Sequence, residues 1–343
     1  METGRIKKTM ALDTLLYVPG KILEGLVSFL TLSLYSHYFV TSDYGKYNIA
    51  TVSANVAFLL TLNWISQSVF RYINKYRGKK RLTLMYSTVF RAWAVISGAM
   101  LLVSAVAIAV YGAASRPGTE LILFLAAAAL ASVTYGTTQI LFSLLSAIRS
   151  LKLFLAMSLF SVTFKLLTTT VLVMKFNLGI LSALISIVLI DCIVTAIIVL
   201  RLKIYKFIIP GRYSRVVLLK FRSYGIPLIA NGISMSLLNV SDRYALGLLK
   251  GTSQVGIYSA NYGIASAVFS MLNFALMRAS YPSIIRAWRQ DERKEASELL
   301  SHAVRNYLLL ALPAAAGLSM LSGQIARLFL EEKYHAGSFV IIW

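Results

Sequence analysis

Nine ionisable residues lie inside stretches of the chain that are otherwise apolar: Lys21, Glu24, Arg91, Lys165, Asp191, Asp242, Arg243, Arg278 and Arg305. At the centre of a bilayer a lone charge costs at least about 2.5–3.5 kcal/mol, so it persists only when paired, hydrated or in use. Arg91, Arg278 and Arg305 fall within about two turns of an end of their run, close enough for the long stem to carry the guanidinium out to the headgroups. Lys165 does not. It sits near the middle of a run from 153 to 174, roughly 15 Å from either interface at 1.5 Å per residue, which no lysine stem spans. It therefore requires a wet cavity or a carboxylate, and Asp191, Asp242 and Glu24 are the candidates. Lys21 and Glu24, three apart, share a helix face and can neutralise one another. Asp242 and Arg243 are adjacent, so their side chains diverge by roughly 100° and at least one must look elsewhere for a partner. The chemistry open to this set is the gripping of an anion by the deep cations Lys21, Lys165 and Arg243. Glu24, Asp191 and Asp242 would serve as counter-ions or as sites that exchange a proton.

Other chemistry is missing from the sequence. There is no Walker A pattern, no H-E-x-x-H, no C-x-x-C and no G-x-S-x-G, so ATP hydrolysis and the common hydrolytic motifs are excluded. His37, His302 and His335 stand on different segments, which argues against a metal cluster. No catalytic residue, metal site or cofactor is expected. The single cysteine, Cys192, lies within an apolar run and has no partner in the chain for a disulfide.

The elements that must position these charges are membrane spans. Of the 343 residues 58% are hydrophobic and 14% charged, with a mean hydropathy of +0.72, against about a quarter charged in an ordinary soluble protein. Runs long enough to cross roughly 30 Å of hydrocarbon cover residues 14–38, 44–70, 84–111, 119–145, 153–174, 178–200, 224–249, 254–281 and 299–322. A further apolar segment begins at Phe339, so the sequence predicts nine spans and the start of a tenth, with the chain continuing beyond Trp343. The polar, basic start leads into a run too long for a signal-peptide core, so the first span is expected to be retained. A formal charge of +21 would in a soluble chain suggest nucleic acid, but here Lys and Arg cluster between spans. Alternate connections hold 22 of them against 5, which places the N-terminus and the basic loops in the cytoplasm and excludes a nucleic-acid role. The connections are short, so no folded domain stands outside the membrane.

The chain also repeats itself. Ser42-Asp43-Tyr44-Gly45-Lys46-Tyr47 and Ser253-Gln254-Val255-Gly256-Ile257-Tyr258 share S-x-x-G-x-Y at an offset of 211 residues, and Pro19 and Pro227 occupy matching places near the start of the preceding spans. Six spans separate the copies, so both halves have the same orientation. The predicted organisation is a six-helix N-terminal bundle over 1–200, a basic cytoplasmic connection over 201–223 and a C-terminal bundle over 224–343, truncated after the start of its fourth span.

Asp43-Tyr44-Gly45-Lys46-Tyr47, Ser68-Val69-Phe70-Arg71-Tyr72 and Asn239-Val240-Ser241-Asp242-Arg243, together with this architecture, resemble the lipid-linked oligosaccharide flippases of polysaccharide biosynthesis, of the O-antigen and teichoic-acid export type, within the MATE/MOP transporter superfamily. The resemblance implies an all-α integral membrane protein of two six-helix bundles. Its implied function is to flip a polyprenyl-pyrophosphate-linked oligosaccharide from the inner to the outer leaflet of the cell membrane by alternating access. It further implies that Lys21, Lys165 and Arg243 hold the pyrophosphate. Tyr135, Gln139, Asn231, Asn239, Asn261, Tyr262 and Asn273 are then available to sugar hydroxyls. A polysaccharide polymerase and glycosyltransferases are the expected partners, besides membrane lipid. Two other functions are weighed: a drug or cation antiporter of the same superfamily, disfavoured by the excess of deep cations, and an integral-membrane glycan polymerase or ligase. The last would need a sizeable loop or domain bearing carboxylates or histidines.

Overall fold

The computed structural model describes residues 20, 23–76, 78–209 and 211–342. Lys21 lies outside them, as do the side chains of Asn231, Asn239 and Arg278. Among the described residues there is no strand, and the chain is a multi-pass, all-α membrane protein. Its helices are α1 (23–38), α2 (Thr41–Thr61), α3 (Asn63–Tyr72), α4 (Lys79–Ser115), α5 (Thr119–Ala147), α6 (Leu151–Phe176), α7 (Leu181–Arg201), α8 (Arg215–Lys250), α9 (Thr252–Arg289), α10 (Arg293–Met320) and α11 (Ser322–Phe329). By length and composition α4, α5, α6, α7, α9 and α10 can each cross a membrane, and α2 with α3 forms a further, bent span. α1 and α8 carry the two remaining apolar runs. Helix is the necessary choice, because only it satisfies every backbone group without water.

Two of the spans stop at a residue in the left-handed conformation. Asn177 (φ 49°) closes α6 and Gly179 (φ 53°) follows it, while Arg116 (φ 42°) closes α4; these C-terminal residues place the next span antiparallel within a few residues.

One predicted span is not a single helix. The run 44–70 breaks at Leu62 and bends by 56° between α2 and α3. No proline or glycine stands there. Thr61 donates its hydroxyl to the Ala57 carbonyl at 2.6 Å beside the break, a local bond that can accompany a helix bend. A second departure lies at Phe339, where the sequence predicts the start of another span. Residues Glu332–Ile342 form 3-10 turns packed on α9. Asn261 of α9 donates to the Tyr334 carbonyl at 2.9 Å, and the Tyr334 hydroxyl donates to the Phe39 carbonyl at 3.0 Å. Burial beside Tyr44 and Asp43 holds the Tyr334 hydroxyl well above the ordinary tyrosine range.

By contact the chain forms two compact units: Met1–Gly45 with Lys250–Trp343, and Lys46–Leu249. This grouping is distinct from the repeat division at 201–223, which remains a proposal. The core of the second unit centres on Leu62, Ile65, Met85, Leu145, Val194, Ile198 and Phe221. Here Gly225 lets α8 approach the Trp64 carbonyl of α3, and Ser68 donates to the Phe221 carbonyl at 2.8 Å.

In the first unit the two copies of S-x-x-G-x-Y touch. A Cβ on Gly45 would collide with the Thr252 carbonyl, and one on Gly256 with the Thr41 carbonyl; each would also lie 3.0 Å from the other glycine's backbone nitrogen. The Thr41 and Ser253 hydroxyls hydrogen-bond at 2.7 Å. Exchanging 41 for 252 and 45 for 256 maps one contact onto the other, which is the signature of a local two-fold axis. The two motifs therefore lie side by side, at the starts of α2 and α9.

Candidate functional site

Lys165 is the fifteenth of the 26 residues of α6, and Asp191 is the central residue of the 21 in α7. The two helices are consecutive and antiparallel, so two residues near mid-helix meet at the same depth. Lys165 Nζ lies 2.7 Å from Asp191 Oδ1, with the carboxylate side chain 1% exposed and the lysine 24%. Thr138 and Tyr135 of α5 stand beside the carboxylate, and the tight packing of α5 on α7 closes it off from water. Of the three carboxylates open to Lys165 from sequence, the neighbouring helix supplies the partner. Asp242 turns back on its own helix, where Oδ1 accepts the backbone N–H of Arg243 at 2.8 Å.

The exposed part of Lys165 faces a cleft of about 380 Å³ inside the second unit. Tyr47, Thr51 and Asn55 of α2 and Tyr135 of α5 give it a polar wall, and Ala50, Ala54 and Ala131 leave the space open. A lysine ammonium has three N–H donors. Lys165 Nζ is within reach of Asp191 Oδ1, and the same side chain lines the cleft. Lys165 is the one basic residue among those lining the cleft, and none of them is acidic. The arrangement can present hydrogen-bond donors and a positive pole to a bound group while keeping the compensating carboxylate out of its reach. Tyr47, Thr51 and Asn55 do not figure among the polar positions picked out from sequence. Their spacing of four residues, a polar stripe on one face of an apolar run, is the signal that marks them.

The other predicted site residues are placed as follows. Lys21 lies outside the described residues. Glu24 is on α1, half-buried, in the first unit. Arg243 is half-buried on α8 and does not line the Lys165 cleft. Asn261 is fully buried, its Nδ2 donating to the Tyr334 and Ile257 carbonyls. Tyr262 stacks on Tyr258 at 5.6 Å, and Asn273 is exposed. His37 and His335, distant in sequence, both come near Glu331. His37 Nδ1 lies 3.0 Å from Glu331 Oε2, and this hydrogen bond holds the carboxyl below the ordinary glutamate range. Among the described residues no group of three metal-ligating side chains converges.

A family model described as "Polysaccharide biosynthesis protein" matches residues 11–288. The chain belongs to this family. Solved structures similar to this family member are MATE and MOP transporters. One is an inward-facing conformation of a multidrug resistance MATE family transporter of the MOP superfamily, with a TM-score of 0.72 and 11% identity over 93% of this chain and 76% of that one. The MATE multidrug transporter DinF-BH has a TM-score of 0.69 and 15% identity over 99% and 79%. A MOP superfamily transporter from Pyrococcus furiosus has a TM-score of 0.57 and 12% identity over 95% and 75%. At such identities the likeness establishes the fold: this polysaccharide biosynthesis family member has the MATE/MOP architecture. No curated protein matches the sequence significantly.

Proposed function

We propose that the protein moves a polyprenyl-pyrophosphate-linked oligosaccharide from the inner to the outer leaflet of the cell membrane by alternating access, and that Lys165 is a contact for its anionic group. The observation carrying this reading is the polarity of the cleft, where an ammonium is presented and Asp191 is sequestered behind it. A diphosphate approaching through water competes with Asp191 for the lysine donors, and charge-assisted hydrogen bonds of this kind are about twice as strong as neutral ones. Tyr47, Thr51, Asn55 and Tyr135 then meet sugar hydroxyls. Asp191 acts as counter-ion, and a proton delivered to it frees Lys165 for the substrate, which couples binding to protonation. Lys21 and Arg243 are further candidate cation contacts. A polymerase and glycosyltransferases would supply and consume the cargo.

The multidrug transporters among the structural neighbours favour a second reading, efflux of organic cations. Pocket polarity is the discriminating property, since the Pyrococcus furiosus transporter is described as having a binding pocket of reverse polarity that suggests a different function. An accessible carboxylate would favour an organic cation, and the cleft presents none among its lining residues, only the like charge of Lys165.

The test is surface-glycan export in cells in which this chain is the sole exporter. Lys165→Ala is expected to stop export and leave lipid-linked oligosaccharide in the inner leaflet, with the protein still in the membrane; Lys165→Arg is expected to retain part of it. Normal export by Lys165→Ala, or efflux of a cationic dye that depends on the intact chain, overturns the proposal.

A further inference from the structure

A second cavity in the Lys46–Leu249 unit, of about 550 Å³, is graded from charged to apolar along its length. At one end stand Arg91 of α4, Arg222 in the second turn of α8 and Tyr213 just before it, with the Arg91 guanidinium 4.8 Å above the Tyr213 ring. Val95 and Ile226 lie one turn further along the same two helices, roughly 6 Å deeper, and Leu60 closes the apolar end. Val95 is 65% exposed and Leu60 46%, so the trough is open along its side rather than enclosed. No carboxylate lines it. The acidic residues of this unit are Glu120, Asp191 and Asp242. Glu120 is in the first turn of α5, Asp191 at the middle of α7, and Asp242 roughly 30 Å beyond Arg222 along α8.

A single arginine near the end of a span needs only snorkelling to explain it. Two exposed arginines from different helices line the same apolar trough, and no carboxylate lines it with them, so the trough offers an anion two cationic contacts that nothing in its lining neutralises. Guanidinium suits phosphate, which it grips through two parallel hydrogen bonds. A site that offers phosphate ligands at the headgroup level and hydrocarbon contact below it fits a lipid, and its volume is within the range of ordinary ligand pockets.

We propose that this groove is a binding site for an anionic phospholipid of the surrounding bilayer, its phosphate between Arg91 and Arg222 and an acyl chain along Val95, Ile226 and Leu60. Basic pockets between transmembrane helices are established sites for such headgroups. The choice among phosphate-bearing lipids follows from mass action. An open groove with two cationic contacts binds modestly, and a modest site is filled by the abundant anionic lipid rather than by a scarce carrier lipid. Leu60 and Trp64 both line the groove and stand on opposite sides of the break at Leu62, so the bound lipid touches both arms of the bent span. This site is independent of the Lys165 cleft and of the transport reading attached to it.

The test is native mass spectrometry of the full chain released from neutral detergent after incubation with phosphatidylglycerol, phosphatidylcholine or polyprenyl phosphate. The intact protein is expected to retain one phosphatidylglycerol in preference to phosphatidylcholine. Arg91→Ala with Arg222→Ala should reduce that retention by on the order of tenfold or more, the worth of one or two charged hydrogen bonds. Val95→Trp should reduce it similarly with both charges intact; because position 95 is exposed, this variant tests the groove even if the double arginine variant does not fold. Lys152→Ala with Arg201→Ala, which removes two cations from elsewhere in the unit, should leave retention unchanged. The proposal fails if that control loses as much lipid, if Val95→Trp binds as the parent does, or if polyprenyl phosphate is retained and phosphatidylglycerol is not.

Discussion

Lys165 and Asp191 illustrate how asymmetric a buried ion pair is. The carboxylate is 1% exposed while the ammonium keeps 24% of its surface open to the cleft, so the two partners respond differently to loss of the other. Lys165→Met strands a carboxylate away from water, and removing one member of a buried pair costs about 3–5 kcal/mol. Asp191→Asn leaves a lysine that the cleft can hydrate, and its cost should be smaller. Replacing both, Lys165→Met with Asp191→Asn, should recover most of the loss, because no uncompensated charge remains. Thermal unfolding in detergent is expected to rank the variants in that order while none of the three exports glycan normally. A double variant as unstable as Lys165→Met would mean that shape, not charge, holds these helices together. Position 165 was legible in the sequence because its depth alone demands a partner or water. The identity of the partner was not, since helices apolar on every side do not disclose which faces meet. Arg91 is explained by its depth near an interface, and the sequence does not disclose that it shares a groove with Arg222.

Helices in this chain are recognisable from run length, but their bends and crossings are set by details with little sequence signal. The break at Leu62 involves neither proline nor glycine, and the threonine back-bond beside it recurs in unbroken helices of the chain, so no local residue pattern marks it. The S-x-x-G-x-Y motif is visible as a repeat, yet similarity at an offset of 211 residues does not say that the two copies touch. Their glycines are required because each faces a backbone carbonyl of the other segment. Gly45→Ala and Gly256→Ala should each destabilise the protein by about 1–3 kcal/mol, the usual cost of overpacking. The double variant should cost less than the sum, since one displacement of α2 from α9 relieves both collisions. Gly98 of α4 is the control. A Cβ there meets nothing within 4 Å, and alanine should be neutral or stabilise by about 0.4–1 kcal/mol through the unfolded chain. Equal melting temperatures for Gly45→Ala and Gly98→Ala would show that the crossing is looser than described.

At the scale of the molecule the governing feature is where the cations lie. The second unit gathers them at one end, where segments remote in sequence meet. The Arg71 guanidinium lies 4.0 Å from the Tyr224 ring, and Lys220 and Lys75 lie 5.1 and 5.8 Å from that of Tyr72. The turns at Arg116 and Lys175 belong to the alternate, cation-poor set of connections. By the positive-inside rule the cation-rich side is expected in the cytoplasm, and under the proposed function that is the side from which cargo would be taken. Single cysteines should report it in a Cys192→Ser background, which removes the chain's own thiol. Ser150→Cys and Tyr205→Cys on the basic connections and Ser115→Cys on the alternate side leave every Lys and Arg in place, so the probes do not disturb the signal they measure. In intact cells an impermeant maleimide should label position 115 and leave 150 and 205 unlabelled until the membrane is opened. The reverse pattern would put the basic end outside, and the proposed direction of transport would have to be reversed with it.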